Sequence, residues 1–205
     1  MPIIPKNTCG SCYAYLDPAS GRKRSKNPNA RTALIVMRFA PPAYYLTLYA
    51  WAARASTTEI TEQVFQVNAL FHPVAFGIEV AGQQYLLYSH LEDEARRRGI
   101  RLPLVEGKEY QDGAKDDRIR DAIQPLVAQG RYVVQSFMRD LRDEVTTFPT
   151  GATKDLLDAQ SSCIMMMPKP TPMKARVDTR DAILDYLYKS GAGPEALARY
   201  KLPSA

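Results

Sequence analysis

The chain has 205 residues, of which 45% are hydrophobic and 24% are charged. This length and composition suit one domain with a substantial core and exclude extensive disorder, while leaving α/β and all-α folds open. The formal net charge is +5, and residues 1–40 hold seven Lys and Arg residues against the single acid Asp17. Such a basic stretch suits a phosphate-rich partner, although a solvated loop has the same composition.

The opening part of the chain predicts three strands with short connections. Residues 11–17, 32–39 and 43–50 are rich in aromatic and aliphatic side chains. The polar segment 18–30 and the pair Pro41-Pro42 separate them as a loop and a turn. Three consecutive strands joined in this way predict an antiparallel meander.

From residue 57 onward the pattern predicts alternating helices and strands. Apolar residues at spacings of three and four indicate a helix over 57–71, which Ser56 or Thr57 would cap. The other predicted elements are strands at 74–80, 102–105 and 131–134, and helices at 82–98, 116–128, 138–146 and 153–167. Alternation implies parallel pairing, so the sequence predicts an α/β fold: a mixed sheet with helices on both faces.

A Pro-rich segment separates this domain from the C-terminal end of the chain. Residues 168–176 include three prolines, and a short amphipathic helix is predicted at 179–189. We therefore expect a domain over 1–167, followed by a linker and helical tail over 168–205.

Cysteine spacing and hydropathy bear on the setting of the protein. Cys9 and Cys12 have the spacing of half a zinc site, but Cys163, His72 and His90 do not form a second pair. Reduced structural thiols in a cytoplasm are therefore favoured over zinc binding or a disulfide framework. No apolar run approaches the roughly 18 residues of a membrane span, and the N-terminus lacks a signal-peptide core, so no membrane partner is expected.

Four acidic residues stand at positions that suit a metal site. Asp17 ends the first predicted strand and Glu79 ends the strand after the meander, while Asp155 and Asp158 lie on one face of a helix start. Negative charge at a helix start is also favoured by the helix dipole, which is the simpler explanation for that pair. Clustered carboxylates repel one another unless a cation neutralises them, and hard oxygen ligands select Mg²⁺ or Mn²⁺. Two such ions would support phosphodiester hydrolysis.

Five segments resemble, in order, the motifs of the nuclease domain of phage terminase large subunits. They lie at 15–21, 76–84, 115–130, 141–149 and 153–159. The last matches the family signature His-Asp-Asp-x-x-Asp-Ala in part, because Thr153 and Lys154 stand where the family has His and the first Asp. The aligned ligand is then Asp155, with Asp158 as a further candidate.

This resemblance implies an RNase H-like fold and metal-dependent cleavage of concatemeric double-stranded viral DNA during genome packaging. It implies that Asp17, Glu79 and Asp155 are catalytic and coordinate Mg²⁺ or Mn²⁺, with two ions expected and Asp158 as an added ligand. The packaging ATPase domain, the small subunit and the portal are the implied partners, in the cytoplasm of an infected or lysogenic bacterial cell. The phosphate loop Gly-x-x-x-x-Gly-Lys-Ser/Thr of that ATPase does not occur in this sequence. We therefore expect a nuclease domain alone, either excised or encoded separately.

Basic residues near the predicted acids are the candidates for DNA contact. The predicted contacts to DNA phosphates are Arg22, Lys23, Arg24 and Lys26 in the first loop, and Lys115 and Arg118 on a flanking helix. Nothing resembles a recognition helix, so sequence-tolerant binding is expected. Two alternatives stay open: another RNase H-like nuclease, such as a junction resolvase, and a non-catalytic DNA-binding module.

Overall fold

The computed structural model describes residues 10–19, 31–40, 44–80, 84–107 and 114–168. Within these ranges the elements follow the predicted order of strands and helices. They are β1 (Cys12–Asp17), β2 (Thr32–Ala40), β3 (Tyr44–Ala53), α1 (Thr57–Phe71), β4 (Ala75–Ile78), α2 (Gln84–Arg98), β5 (Leu104–Glu106), α3 (Lys115–Ala128), β6 (Tyr132–Val133), α4 (Arg139–Thr147) and α5 (Asp155–Met166). The predicted basic segment 22–26, the tail 169–205 and Cys9 lie outside the described residues.

The six strands form one mixed sheet in the order β5-β4-β1-β2-β3-β6. The pairs β1-β2 and β2-β3 are antiparallel, which confirms the predicted meander. The pairs β1-β4, β4-β5 and β3-β6 are parallel, as expected for strands joined through crossover helices. The α/β prediction, with a mixed sheet, is therefore confirmed.

Helices cover both faces of the sheet because side chains alternate along each central strand. Ala33, Ile35 and Met37 of β2 pack in one core with residues of α3, α4 and α5. Leu34 and Val36 of the same strand pack in a second core with residues of α1 and α2. On β1 and β2, the buried odd-numbered residues therefore face α3, α4 and α5, and the buried even-numbered residues face α1 and α2.

A local sequence signal explains where α1 begins. Ser56 caps α1 in a capping box, in which its hydroxyl accepts from the Glu59 amide and the Glu59 carboxylate accepts from the Ser56 amide.

Helix α5 is buried along residues 155–164. Its Gln160 donates to the Thr47 hydroxyl at 2.7 Å and accepts from the Tyr132 hydroxyl at 2.6 Å. These partners satisfy a polar side chain that would otherwise destabilise the core.

None of the helices in the described ranges is both long enough and apolar enough to cross a bilayer. Cys12 and Cys163 are buried free thiols.

Candidate active site

Two of the predicted acids leave adjacent strands at the same edge of the sheet. The parallel register pairs Leu16 of β1 with Ile78 of β4, and the Glu79 amide donates to the Leu16 carbonyl at 3.1 Å. Asp17 and Glu79 therefore lie side by side. Alternation along β1 places Asp17 on the face of Tyr15, the face that α5 covers. Strand geometry alone thus brings the first two acids together.

The carboxyl groups of Asp17 and Glu79 are in hydrogen-bond contact. Burial raises the pKa of Asp17 well above its ordinary value, and the hydrogen bond to Glu79 and the negative charges of Glu79 and Asp158 raise it further. Burial and neighbouring negative charge favour the protonated form of a carboxyl, and a positive charge close by favours the ionised form.

The other two predicted acids lie in the first turn of α5. Asp155 and Asp158 are both largely buried, each with 8% of its surface exposed. The charge of Asp158 reaches Asp17, so α5 brings a third carboxylate to the strand edge. Asp155 joins this group through Lys115, whose ammonium contacts both helix acids. We call Asp17, Glu79, Asp155 and Asp158 the acidic cluster.

Two basic residues at the start of α3 point into the acidic cluster. The Lys115 Nζ atom lies 3.1 Å from Asp158 Oδ2 and 3.5 Å from Asp155 Oδ1, and Arg118 Nη2 lies 2.8 Å from Asp158 Oδ1. Burial alone would lower the pKa of Lys115, but the charges of Asp158, Asp17 and Asp155 outweigh it and raise the pKa. Both residues were predicted to flank the acids and hold DNA, and their charged groups here neutralise the acids themselves.

A further cation, which the sequence did not assign to the site, fixes the opposite side of Asp155. The Arg31 amide donates to Asp155 Oδ2 at 3.2 Å, and its guanidinium Nε lies 3.7 Å from the same oxygen. Arg31 Nη2 also donates to Glu144 Oε1 at 2.8 Å. Because β2 runs antiparallel to β1, Arg31 enters β2 at the edge where Asp17 leaves β1.

Glu144 of α4 anchors this arrangement, and in the sequence it is only one member of the segment 141–149. Its side chain is 3% exposed, and its Oε2 atom accepts from the Leu157 amide in the first turn of α5 at 3.1 Å. Burial raises the pKa of Glu144, whereas the Leu157 amide, the Thr153 hydroxyl and Arg31 oppose that rise. Glu144 therefore holds the start of α5, and with it Asp155, against the end of the sheet.

Lys154 stands where the resembled signature has an acid, and it takes a structural contact instead. Its ammonium lies 2.7 Å from Asp116 Oδ1, which links the residue before α5 to the first turn of α3. Position 154 therefore contributes no carboxylate to the acidic cluster.

The donor set of the acidic cluster suits a divalent cation, because it consists of carboxylate oxygens. Across the described ranges no three His, Cys, Asp or Glu side chains form a ready-made metal cage. The oxygens of Asp155 and Asp158 are instead turned towards Arg31, Lys115 and Arg118. The raised pKa of Asp17 and the ammonium held between two carboxylates both indicate an excess of negative charge that positive charge relieves.

No protein-family model and no curated protein matches the sequence. Among solved structures, the yeast mitochondrial Holliday junction resolvase Ydc2 is similar, with 10% identity, a TM-score of 0.50, and coverage of 75% of this chain and 76% of that chain. The large terminase nuclease from the thermophilic phage G20c, solved with bound zinc, has 11% identity, a TM-score of 0.50, and coverage of 77% and 82%. These likenesses establish the fold, which is the RNase H-like fold that these nucleases share.

Proposed function

We propose that the chain is a metal-dependent endonuclease that hydrolyses phosphodiester bonds in double-stranded DNA. The observation that carries the proposal is the meeting of Asp17 and Glu79, at the ends of adjacent strands, with Asp158 of α5. The pKa of Asp17 is raised by burial and by its acidic neighbours, and perturbed groups of this kind concentrate at functional sites. The RNase H-like fold shared with two nucleases supports the same reaction class.

In this proposal, Asp17, Glu79, Asp155 and Asp158 supply the ligands for Mg²⁺ or Mn²⁺, with two ions expected. Bound ions of this type generate a nucleophile from water and stabilise the charge that develops on the phosphate. Arg118 and Arg31 each hold one oxygen of a helix acid, so they orient the remaining oxygen of that acid. Asp17, Glu79 and Asp155 are the proposed catalytic residues.

DNA contact is proposed for the basic residues that surround the acids in the sequence. Arg22, Lys23, Arg24 and Lys26 follow Asp17 directly in the chain, so a duplex that they bind would also reach the acidic cluster. Contacts to phosphates release counterions and make affinity fall steeply with salt. Neutralising these four residues should therefore reduce the slope of affinity against salt concentration.

The finer role that we propose is that of a terminase large-subunit nuclease, which cuts concatemeric viral DNA during genome packaging. The support is the order of the five resembled motifs and the likeness of the fold to a phage terminase nuclease. The proposed partners are then the packaging ATPase domain, the small subunit and the portal, in the cytoplasm of the bacterial host. These partners would restrict cleavage, because the chain offers no resemblance to a sequence-reading element.

Resolution of branched DNA is the second candidate, because the likeness to the junction resolvase Ydc2 is as close as the likeness to the terminase nuclease. The two roles differ in substrate. A terminase nuclease should cut a linear duplex and a four-way junction of the same sequence at comparable rates. Cleavage confined to the junction, in paired symmetrical cuts, would favour the resolvase.

The test of the nuclease is a plasmid-nicking assay in Mn²⁺, with chelator and Asp17→Asn as controls. We expect supercoiled plasmid to become nicked, then linear, then a smear, and we expect the substitution to slow the first step about a hundredfold or more. Asp143→Asn is the matched control, because Asp143 is an exposed acid of α4 outside the acidic cluster. Metal-independent DNA binding without any cleavage would leave a non-catalytic binding module, and the proposal would be wrong.

A further inference from the structure

Among the described residues, Lys115 is the one cation that contacts both Asp155 and Asp158. Arg118 holds Asp158 Oδ1, and Arg31 holds Asp155 Oδ2. The remaining oxygen of each acid, Asp158 Oδ2 and Asp155 Oδ1, faces the Lys115 ammonium at 3.1 Å and 3.5 Å. Each arginine thus binds one oxygen of a carboxylate, and Lys115 contacts the other oxygen.

The oxygens that Lys115 contacts are the oxygens that a metal ion would need. An ammonium group and a divalent cation both seek carboxylate oxygens, and the two charges repel each other at contact distance. The two cations therefore compete for the same pair of oxygens, and a metal that binds Asp158 Oδ2 and Asp155 Oδ1 favours displacement of Lys115.

Exposure and chemistry distinguish the cation that can leave from those that stay. The Lys115 side chain is 39% exposed, whereas those of Arg118 and Arg31 are 13% and 21% exposed. Lysine is a point charge on a flexible stem, while the planar guanidinium of arginine binds several acceptors at fixed geometry. Arg31 is held in addition through its own backbone amide.

We propose that Lys115 is an exchangeable internal counter-ion, which keeps the acidic cluster assembled without metal and which an incoming divalent cation displaces. This inference rests on the proposed function, since it presumes that the cluster binds metal. It assigns Lys115 a positioning role: the residue sets the metal affinity of the site.

The test is Mn²⁺ binding to the full chain, measured by isothermal titration calorimetry with no DNA present. Lys115→Met removes the charge and keeps the length of the side chain. It should bind Mn²⁺ about tenfold more tightly than the wild type, at the scale of ordinary coupling between competing ligands. Its thermal midpoint in chelator should fall below that of the wild type, and Mn²⁺ should close that gap.

Two further variants isolate the position and the charge. Arg120→Ala removes a cation of the same helix that pairs with Asp117 outside the cluster, so Mn²⁺ affinity should equal that of the wild type. Lys115→Arg keeps the charge, so it should not bind Mn²⁺ more tightly than the wild type. Affinity in Lys115→Met that is equal to or weaker than the wild type would overturn the exchange while leaving the nuclease intact. No Mn²⁺ binding by any variant, including the wild type, would instead overturn the proposed function together with the exchange.

A measurement on the wild type covers the case in which Lys115→Met does not fold. Lysine side chains labelled with ¹³C are followed by NMR as Mg²⁺ is added, with Lys115 assigned from the spectrum of Lys115→Arg. The Lys115 resonance should move towards that of a solvated lysine as the site fills. A resonance that stays fixed while Mg²⁺ binds would refute the displacement.

Discussion

Two groups of ion pairs in this molecule are built from the same kinds of side chain, but they shift the pKa of a carboxyl in opposite directions. The outer group joins α1 and α2: Glu62 and Glu94 contact Arg97 and Arg98 on the protein surface. The inner group is the acidic cluster with Lys115, Arg118 and Arg31. In the outer group two acids meet two cations, and hydrogen bonds from Arg97 and Arg98 lower the pKa of Glu94 to about 2. In the inner group the pKa of Asp17 moves the other way, well above its ordinary value.

The difference teaches that charge balance, rather than the presence of ion pairs, distinguishes the two groups. Burial does not, because Glu94 and Arg98 are 14% and 24% exposed, which is no more than the 39% of Lys115. In the outer group every acid has its own cation, and the exposed side chains of Glu62 and Arg97 are screened by water and salt. The four acids of the inner group face three cations, and most of these side chains are shielded from solvent. The unneutralised charge that remains is what a divalent cation can relieve.

The largest stability effect should come from Glu144, which joins Arg31 to the start of α5. Glu144→Ala removes the acceptor of the Leu157 amide and the closest acceptor of the Arg31 guanidinium, and we expect unfolding free energy to fall by about 3 kcal/mol. Glu144→Gln should lose less, because the amide oxygen can still accept from Leu157. Urea denaturation at neutral pH measures both variants. A loss below about 1 kcal/mol in Glu144→Ala would show that the Arg31 contacts carry no weight in holding α5.

A smaller effect of opposite sign is expected at Asp17 in the metal-free protein. Its folded-state pKa is raised, so above the unfolded value of about 4 the folded state keeps a proton that the unfolded state releases. Stability in chelator should therefore fall as pH rises from about 4 through the raised pKa of Asp17. Asp17→Asn should remove this slope and stabilise the metal-free protein at pH 8 by on the order of 1 kcal/mol.

Denaturation of wild type and Asp17→Asn in chelator at pH 5 and pH 8 gives this slope directly. Saturating Mg²⁺ should reverse the order at pH 8, because only the wild type has all its ligands. A metal-free Asp17→Asn variant that is less stable than the wild type at pH 8 would contradict the repulsion inferred for the cluster.

The smallest effect is expected in the outer group. Glu62→Gln removes a mostly exposed partner of Arg98, while Glu94 retains its contact with that arginine. The guanidinium of Arg98 also keeps its place 4.3 Å from the centre of the Phe65 ring. The urea midpoint should not change measurably, in low or high salt. A clear loss would mean that the outer group is as strongly coupled as the inner one, and the contrast between them would fail.

The order of elements could be predicted from the sequence because each depends on local periodicity. The helix predicted at 57–71 is α1. Three consecutive predicted strands joined by a loop and a turn indicate a meander. Asp17 and Glu79 could be placed at one edge because each ends a strand. These inferences need only alternation, capping and turn chemistry.

The partners of the acids could not be predicted in this way, because they are distant in the chain. Arg31 meets Glu144 across 113 residues and Asp155 across 124, and no local pattern encodes such a pairing. Lys115 is an exception, because its position in the sequence indicates an acidic partner. A positive charge in the first turn of a helix is disfavoured by the helix dipole. Lys115 opens α3, so its charge there indicates a nearby acid, whereas contact of Lys115 with DNA stays a prediction.

The position of α5 has a consequence for the chain during its synthesis. Helix α5 supplies Asp155 and Asp158 and covers the face of the sheet that carries Tyr15, Ile35 and Met37. A ribosome that has translated only as far as α4 has therefore made every strand of the described sheet but not the last two acids. Under the proposed function, a chain that ends before α5 lacks Asp155 and Asp158 and should not cleave DNA.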